Sequence, residues 1–141
     1  MAKRFTDSNK WDDPWFWELG IKEQWFWLYV LDKCDHAGIW KANWKPVIEK
    51  LGEMPNLENF IGRMFQVSQD RIFIPKFLIF QYGSRWQRSK VKAHISAVKV
   101  LKELNIFDKA IKMTKQLGNS YGTVNEQLPN TCLTLMDTDT A

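Results

Sequence analysis

Residues 21–42 read IKEQWFWLYVLDKCDHAGIWKA, and this stretch decides which fold the rest of the chain can complete. Apolar side chains cover nearly all sides of a helix drawn over residues 21–34, which predicts a central, buried helix. The polar segment DHAG then breaks the helix. The next residues, IWKA, alternate apolar and polar side chains as a short strand does. A buried helix followed at once by a strand is therefore the predicted centre of the fold.

Helix signals continue on both sides of this centre. Asp13 and Pro14 suit the cap and the first position of a short helix that Gly20 ends. Asn43 is a suitable cap for a helix over residues 44–51. After Pro55 a third helix is expected, with Asn56 as its cap and with an apolar side formed by Leu57, Ile61, Met64 and Phe65.

The following residues predict a hairpin and two further helical stretches. Val67 and residues 71–74 flank a turn at residues 68–70, and Pro75 ends the hairpin. Residues 76–82 favour a helix over a strand. Residues 88–104 repeat apolar side chains every three to four positions, and this helix can extend, past a break near Asn105, to Lys115.

The order helix, strand, helix, helix, hairpin is that of a winged helix. The predicted fold class is mainly α with a small β-hairpin (α+β), a winged helix-turn-helix followed by a basic C-terminal helix. Residues 1–116 form the predicted winged-helix-like domain. From Gly118 onward hydrophobicity falls and Gly, Asn, Thr, Pro and Asp accumulate, so residues 117–141 are expected to be a disordered acidic tail.

Charge is distributed unevenly along the chain. Residues 1–83 hold eleven basic and eleven acidic side chains. Residues 84–116 hold nine Lys or Arg against Glu103 and Asp108, and residues 117–141 hold three acids and no base. A neutral body with a basic segment is typical of a protein that binds a polyanion, although a solvated helix face would carry the same charges.

Composition excludes several classes of protein. A chain of 141 residues, 45% hydrophobic and 26% charged, fits one globular domain, and its longest apolar run, residues 25–31, is too short to span a membrane. The N-terminus lacks the apolar region of a secretory signal and two cysteines are too few for a disulfide scaffold, so we expect a cytoplasmic protein.

Motifs for catalysis and metal binding are missing from the sequence. There is no phosphate-binding loop, nucleophile elbow or zinc-protease helix. Cys34 and His36 lack the further ligands that a structural zinc site needs, and His36 is expected to satisfy backbone groups in its turn. We therefore expect no enzyme activity, no cofactor and no metal.

Three stretches resemble one family. They are residues 3–16, with KRFTD, KW and DPWF; residues 27–40, with WLY, LD and CDHAGIW; and residues 73–83, FIPKFLIFQYG, which precede a basic helix containing His94. Together they resemble the N-terminal domain of phage and prophage replication proteins of the replisome-organiser or replication-initiation type. The resemblance covers residues 3–107. It implies a winged-helix-like domain that binds DNA at a phage replication origin or in replisome assembly, inside the bacterial host cell.

Candidate base contacts lie on the third predicted helix. Asn59, Arg63 and Gln66 share with Asn56 an arc of about 80° on that helix. Amide side chains suit adenine edges and Arg suits guanine in the major groove. We therefore predict base contacts by Asn59, Arg63 and Gln66, while a plain solvent-facing stripe, with Asn56 only as the cap, is the structural alternative.

Candidate phosphate contacts lie on the basic helix and next to it. Arg88, Lys92, Lys99 and Lys102 fall within about 80° of one another on a helical projection. Arg85 precedes them in a loop and Arg71 follows the hairpin turn. Such cations set the affinity for DNA without reading its sequence.

Aromatic side chains are expected mostly in the core, namely Trp11, Trp15, Phe16, Trp25, Trp27 and Trp40. Stacking on single-stranded nucleic acid needs exposed aromatic side chains with basic residues beside them. Trp86 is the only aromatic residue with such basic neighbours, so duplex DNA is the favoured partner. Trp17 and Trp44 are candidate anchors for a protein partner.

Two alternatives remain open from the sequence. The Trp-rich surface could contact a replicative helicase or its loader, which would make the chain a protein-interaction module with an incidental basic helix. A winged-helix transcriptional regulator would use the same fold and the same DNA contacts.

Overall fold

The computed structural model describes residue 4 and residues 6–122, with side chains as far as Leu117. A 3₁₀ turn at Ser8–Asp12 leads into helix α1, Pro14–Glu18, and helix α2, Ile21–Lys33. The Asp13 carboxylate accepts a hydrogen bond from the Trp15 amide at 3.0 Å, and Pro14 takes the first helical position, as predicted. Helix α2 buries Phe26, Trp27 and Val30, which confirms the predicted central helix.

A three-stranded antiparallel sheet follows. Strand β1 is Ile39–Lys41, helix α3 is Trp44–Leu51, strand β2 is Phe65–Ser68 and strand β3 is Arg71–Phe73. The sheet order is β1-β3-β2, so β3 lies in the centre. Asn43 caps α3, and Gly52 ends it in the left-handed conformation at φ 84°. The hairpin turns at Gln69 and Asp70, within the predicted turn.

Three helices complete the described part of the chain. Helix α4 is Pro75–Tyr82, a 3₁₀ turn spans Trp86–Arg88, helix α5 is Lys92–Glu103 and helix α6 is Phe107–Gly122. Asn105 has a φ of 60° between α5 and α6, which confirms the predicted break. Residues 6–122 are thus mainly helical with one small sheet. No helix within the described part of the chain is both long enough and apolar enough to cross a membrane.

Buried side chains form two clusters, one on each face of the sheet. Trp40 and Ile72 belong to the aromatic cluster, whereas Ile39 and Phe73 belong to the C-terminal cluster. Adjacent residues of a strand point to opposite faces, so β1 and β3 each contribute to both clusters. The aromatic cluster also contains Phe16, Phe26, Trp27, Val30, Cys34, Val47, Phe60, Ile74 and Phe77. The C-terminal cluster also contains Ala37, Leu78, Trp86, Ala97, Leu101 and Ala110.

The third predicted helix is wrong. Leu57–Phe60 form one 3₁₀ turn, and Phe65 already lies in β2. Asn56 does cap this turn, since its side chain accepts a hydrogen bond from the Glu58 amide. Gly62 has a φ of 86°, which an α-helix cannot accommodate. The apolar residues expected on one side of a helix are instead divided between a turn and a strand, because β2 pairs with β3 along the hairpin.

The basic helix and the tail boundary also differ from prediction. Helix α5 begins at Lys92, since the residues before it form the 3₁₀ turn and Ser89 accepts a hydrogen bond from the Val91 amide. Helix α6 continues to Gly122, six residues past the predicted end of the domain at residue 116. Residues 117–122 are therefore helical in their backbone. The rest of the expected disordered tail, residues 123–141, lies outside the described residues.

Candidate nucleic-acid interface

A basic surface covers the C-terminal helices and the turn before them. All nine Lys and Arg side chains between residues 84 and 116 are exposed to solvent. Only two acids, Glu103 and Asp108, accompany them, and both are exposed as well. The nine are Arg85, Arg88, Lys90, Lys92, Lys99, Lys102, Lys109, Lys112 and Lys115. We call this set the basic surface.

Helix α5 presents three of these cations on one side. Lys92, Lys99 and Lys102 lie within about 80° around the helix axis. Ala97 and Leu101, on the other side, are fully buried in the C-terminal cluster. Packing against the sheet thus fixes which face of α5 meets solvent, and the predicted grouping of these lysines on one face is retained. Arg85 and Arg88 are exposed in and beside the 3₁₀ turn that precedes the helix. The predicted position of Arg88 on the same helical arc as the lysines is therefore wrong, because α5 begins only at Lys92.

The positive charge of this surface is not neutralised locally. Within residues 4 and 6–122, none of the nine cations forms an ion pair. The Lys102 ammonium lies 5.0 Å above the Phe107 ring, a contact that leaves its charge in place. Cations without a carboxylate partner keep their attraction for an approaching polyanion, so these nine residues are candidate contacts for DNA.

The hairpin tip is electrically neutral. Arg71, predicted to contact phosphate, has its Nη1 atom 3.2 Å from the Asp70 carboxylate. Gln66 Nε2 donates a hydrogen bond to the Ser68 carbonyl oxygen at 2.5 Å, within the same hairpin. The amide of Gln66 therefore braces the turn. Phosphate contact by Arg71, whose side chain is partly exposed, stays a prediction.

Arg63 and Asn59 lie where the 3₁₀ turn meets α1. The Arg63 guanidinium is 3.8 Å from the Trp15 ring centroid, and its Nη1 atom is 3.8 Å from Asp13 Oδ2. The Asn59 carbonyl oxygen accepts a hydrogen bond from Trp15 Nε1 at 3.0 Å. Because the helix is absent, Asn59, Arg63 and Gln66 do not share a helical face. Base contact by these residues stays a prediction, but the geometry on which it was based is wrong.

Trp86, the one aromatic side chain with basic neighbours that suit base stacking, is a core residue. Its ring is fully buried, and Nε1 donates a hydrogen bond to Thr114 Oγ1 at 3.1 Å. The Thr114 hydroxyl in turn donates to the Ala110 carbonyl oxygen one helical turn earlier. This chain of hydrogen bonds joins the 3₁₀ turn to α6 beneath the basic surface. Sequence reasoning missed it because the partners lie 28 residues apart.

The other aromatic predictions divide into core and surface. Phe16, Trp27 and Trp40 are buried as expected, while Trp15 and Trp25 are half-buried. Trp11 is 46% exposed, although its ring meets the Phe16 ring edge-on at 4.9 Å. The two predicted partner anchors also differ: Trp17 is 65% exposed, whereas Trp44 is half-buried and stacked on Phe26 at 5.4 Å.

A polar junction holds α5 against α4 and the turn before β1. His36 Nε2 lies 2.8 Å from Ser96 Oγ on α5, and the Tyr82 hydroxyl donates to the His36 carbonyl oxygen at 2.6 Å. Burial raises the pKa of Tyr82, so its hydroxyl keeps the donated proton to higher pH than an exposed tyrosine does. The expectation that His36 satisfies its own turn is wrong. Asp35 does so instead, since its Oδ1 atom accepts from the Ala37 and Ile39 amides.

The N-terminal segment closes over the end of α2. Arg4 Nη1 donates to the Leu31 carbonyl oxygen at 2.9 Å, and the same guanidinium lies 3.6 Å from Cys34 Sγ. Burial raises the pKa of Cys34 to about 12. A cavity of about 280 Å³ lies beside this contact, between α2 and α4. Within the described residues, no group of three or more His, Cys, Asp or Glu is placed to hold a metal ion.

Comparisons with family models, with curated proteins and with solved structures find no match to this chain. The resemblance of residues 3–107 to phage replication proteins therefore stays a prediction that rests on the quoted motifs. The function is inferred instead from the geometry of the described residues.

Proposed function

We propose that this chain binds duplex DNA, without catalysing a reaction, through the basic surface of α5, α6 and the turn before α5. The observation that carries the proposal is the exposure of all nine cations between residues 84 and 116, none of them in an ion pair within the described residues. Duplex DNA carries a negative charge about every 1.7 Å along its axis, so a run of exposed cations meets several phosphates at once.

The element order supports a winged-helix interpretation with one change. Helix α2, strand β1, helix α3 and the β2–β3 hairpin follow the winged-helix order. In that arrangement a third helix before the hairpin enters the major groove. Here its place is taken by the 3₁₀ turn at Leu57–Phe60, which is too short to do so. We therefore propose that phosphate contacts dominate and that direct reading of bases contributes little.

The resemblance to phage and prophage replication proteins supplies the proposed setting. A non-catalytic DNA-binding domain would act at an origin or during replisome assembly in the host cytoplasm. A transcriptional regulator with the same fold would use the same surface. Phosphate contacts give no preferred site that could separate these two settings by footprinting. Loss of phage DNA synthesis with unchanged promoter activity, in a variant that lacks the α5 lysines, would support replication.

Binding to a protein partner is the second candidate, because two large apolar side chains are exposed at the end of the molecule where α1 meets α2. Trp17 at the end of α1 is 65% exposed and Ile21 at the start of α2 is 84% exposed. An exposed Trp is a frequent anchor in protein interfaces. A replicative helicase or its loader would meet this end and leave the basic surface for DNA. The half-buried Trp44 is better explained as part of the core.

Fluorescence anisotropy at several salt concentrations tests the proposal. If four or five phosphates are neutralised, a plot of log affinity against log salt has a slope of about −4 to −5 on duplex DNA. Random and origin duplexes should bind within about tenfold of each other, since phosphate contacts carry no sequence information. Absence of salt-dependent binding would remove the DNA proposal and leave the protein-interaction candidate.

A further inference from the structure

The exposed side of α5 is apolar as well as basic. Val91, just before the helix, and Ile95 are 54% and 53% exposed. Ile95 and Val98 line an open depression of about 400 Å³ together with Lys99, Lys102 and Glu103. Phosphate groups need the lysines and gain nothing from exposed isoleucine or valine. The depression therefore fits a ligand that carries apolar side chains and acidic groups side by side.

Residues 133–139 of the same chain have this composition. They read LTLMDTD, so three apolar residues, Leu133, Leu135 and Met136, come immediately before Asp137 and Asp139. No Lys or Arg occurs anywhere in residues 117–141. The charge pattern alone indicated only an acidic tail here. The apolar residues of the segment are a second feature that matches the α5 depression.

The segment is also long enough to reach the depression. Helix α6 contacts α5 and ends at Gly122. Nineteen residues follow Gly122, and an extended chain of that length spans up to about 60 Å. Helix α5, with twelve residues, is only about 18 Å long. A covalently attached ligand acts at a high effective concentration, so weak contacts suffice to hold it.

We propose that residues 133–139 dock in the α5 depression, with their apolar side chains on Ile95 and Val98 and their two aspartates beside Lys99 and Lys102. In that position the segment occupies two cations of the basic surface, so it competes with DNA. The competition rests on the proposed function, whereas the docking does not. The segment would act as an internal regulator of DNA binding. A long polyanion such as duplex DNA displaces it, whereas polyanions that bind weakly do not.

Paramagnetic broadening tests the docking. In the Cys34→Ala variant, Cys132 is the only thiol of the chain, and a nitroxide attached to it lies next to the segment. We expect the amide NMR signals of α5 to broaden more than those of α3, which packs into the aromatic cluster through Val47. Broadening should disappear when duplex DNA is added. It should also disappear in Asp137→Asn/Asp139→Asn, while melting of that variant confirms that the protein still folds.

DNA affinity tests the competition. Asp137→Asn/Asp139→Asn should bind duplex DNA about two- to tenfold more tightly at low salt, the range for releasing two exposed ion pairs. The control is Asp12→Asn/Glu18→Gln, which removes two exposed acids from the N-terminal part and changes the net charge equally. An equal gain in the control would overturn the proposal, because overall charge would then explain the effect.

The outcomes separate this proposal from the proposed function. DNA binding together with equal broadening of α5 and α3 overturns the docking and leaves the function intact. Selective broadening of α5 without any DNA binding overturns the function and supports the docking. The last control mixes isotope-labelled protein without a spin label and spin-labelled protein without an isotope label. Broadening of α5 in this mixture shows that another molecule occupies the depression, which overturns the intramolecular proposal.

Discussion

The hydrogen bond between Trp86 and Thr114 offers a sharp test of how the basic surface is supported. Trp86 is fully buried, and its Nε1–H donates to Thr114 Oγ1 at 3.1 Å. Thr114→Val keeps the shape of the side chain and removes the acceptor. The indole N–H then stays buried without a partner, which costs about 1–3 kcal/mol. For a chain of this size that corresponds to a fall in Tm of about 3–15 °C.

The matched experiment is a double-mutant cycle with Trp86→Phe. Phenylalanine has no N–H to satisfy, so in that background Thr114→Val should cost less than about 0.5 kcal/mol. The free energy of unfolding of all four proteins is measured by urea denaturation. Additive losses would refute the hydrogen bond, and an unchanged stability in Trp86→Phe would contradict the burial of Trp86 in the core.

Three further predictions concern the aromatic cluster and the residues packed against it. Trp27→Ala should lower the free energy of unfolding by about 3–5 kcal/mol in urea denaturation, because the ring is fully buried; an unchanged transition would place Trp27 at the surface. Arg63→Ala should cost about 0.5–2 kcal/mol by removing the guanidinium from the Trp15 ring while leaving duplex affinity within about twofold; a loss of affinity on one preferred site alone would favour the predicted base contact. The pKa of Cys34 rises from 9.0 to about 12 on folding, so the thiol ionises more readily in the unfolded chain, and its contribution to the free energy of unfolding is present below pH 9 and falls between pH 9 and 12. If the free energy of unfolding of Cys34→Ala falls by as much as that of the unaltered protein between pH 9 and 12, this prediction is contradicted.

Local signals predicted the element boundaries well where one residue suffices to set them. Asp13 with Pro14, Asn43 and Gly52 act through their own backbone neighbours, and the structure confirms each of them. The break at Asn105 is of the same kind. Such signals depend on capping and on left-handed φ values, which are properties of a few adjacent residues.

The incorrect sequence predictions share a different cause, which is contact between residues that lie far apart in the sequence. The helical spacing of Leu57, Ile61 and Met64 suggested a third helix, but pairing of β2 with β3 and the left-handed Gly62 determine the structure. The basic neighbours of Trp86 gave no sign of its burial, which depends on packing and on a hydrogen bond to Thr114 on α6. The sequence did predict that the lysines of α5 share one face, since the positions of side chains around a helix follow from its periodicity.

The central claim is that the basic surface of the C-terminal helices binds DNA, and a matched pair of charge reversals tests it most directly. Lys92→Glu/Lys99→Glu/Lys102→Glu changes α5, and Lys41→Glu/Lys45→Glu/Lys50→Glu changes three lysines on β1 and α3 that are also exposed. Both variants alter the net charge by the same amount. Exposed substitutions should shift stability by no more than about 0.5 kcal/mol each.

Anisotropy on a short duplex is measured against salt for both variants and the unaltered protein. The α5 variant should weaken binding on every sequence alike and reduce the magnitude of the salt slope by about 3, one for each phosphate that the protein no longer neutralises. The β1 and α3 variant should keep the slope of the unaltered protein. Equal losses in the two variants, or unchanged binding by the α5 variant, would contradict the assignment of DNA binding to this surface.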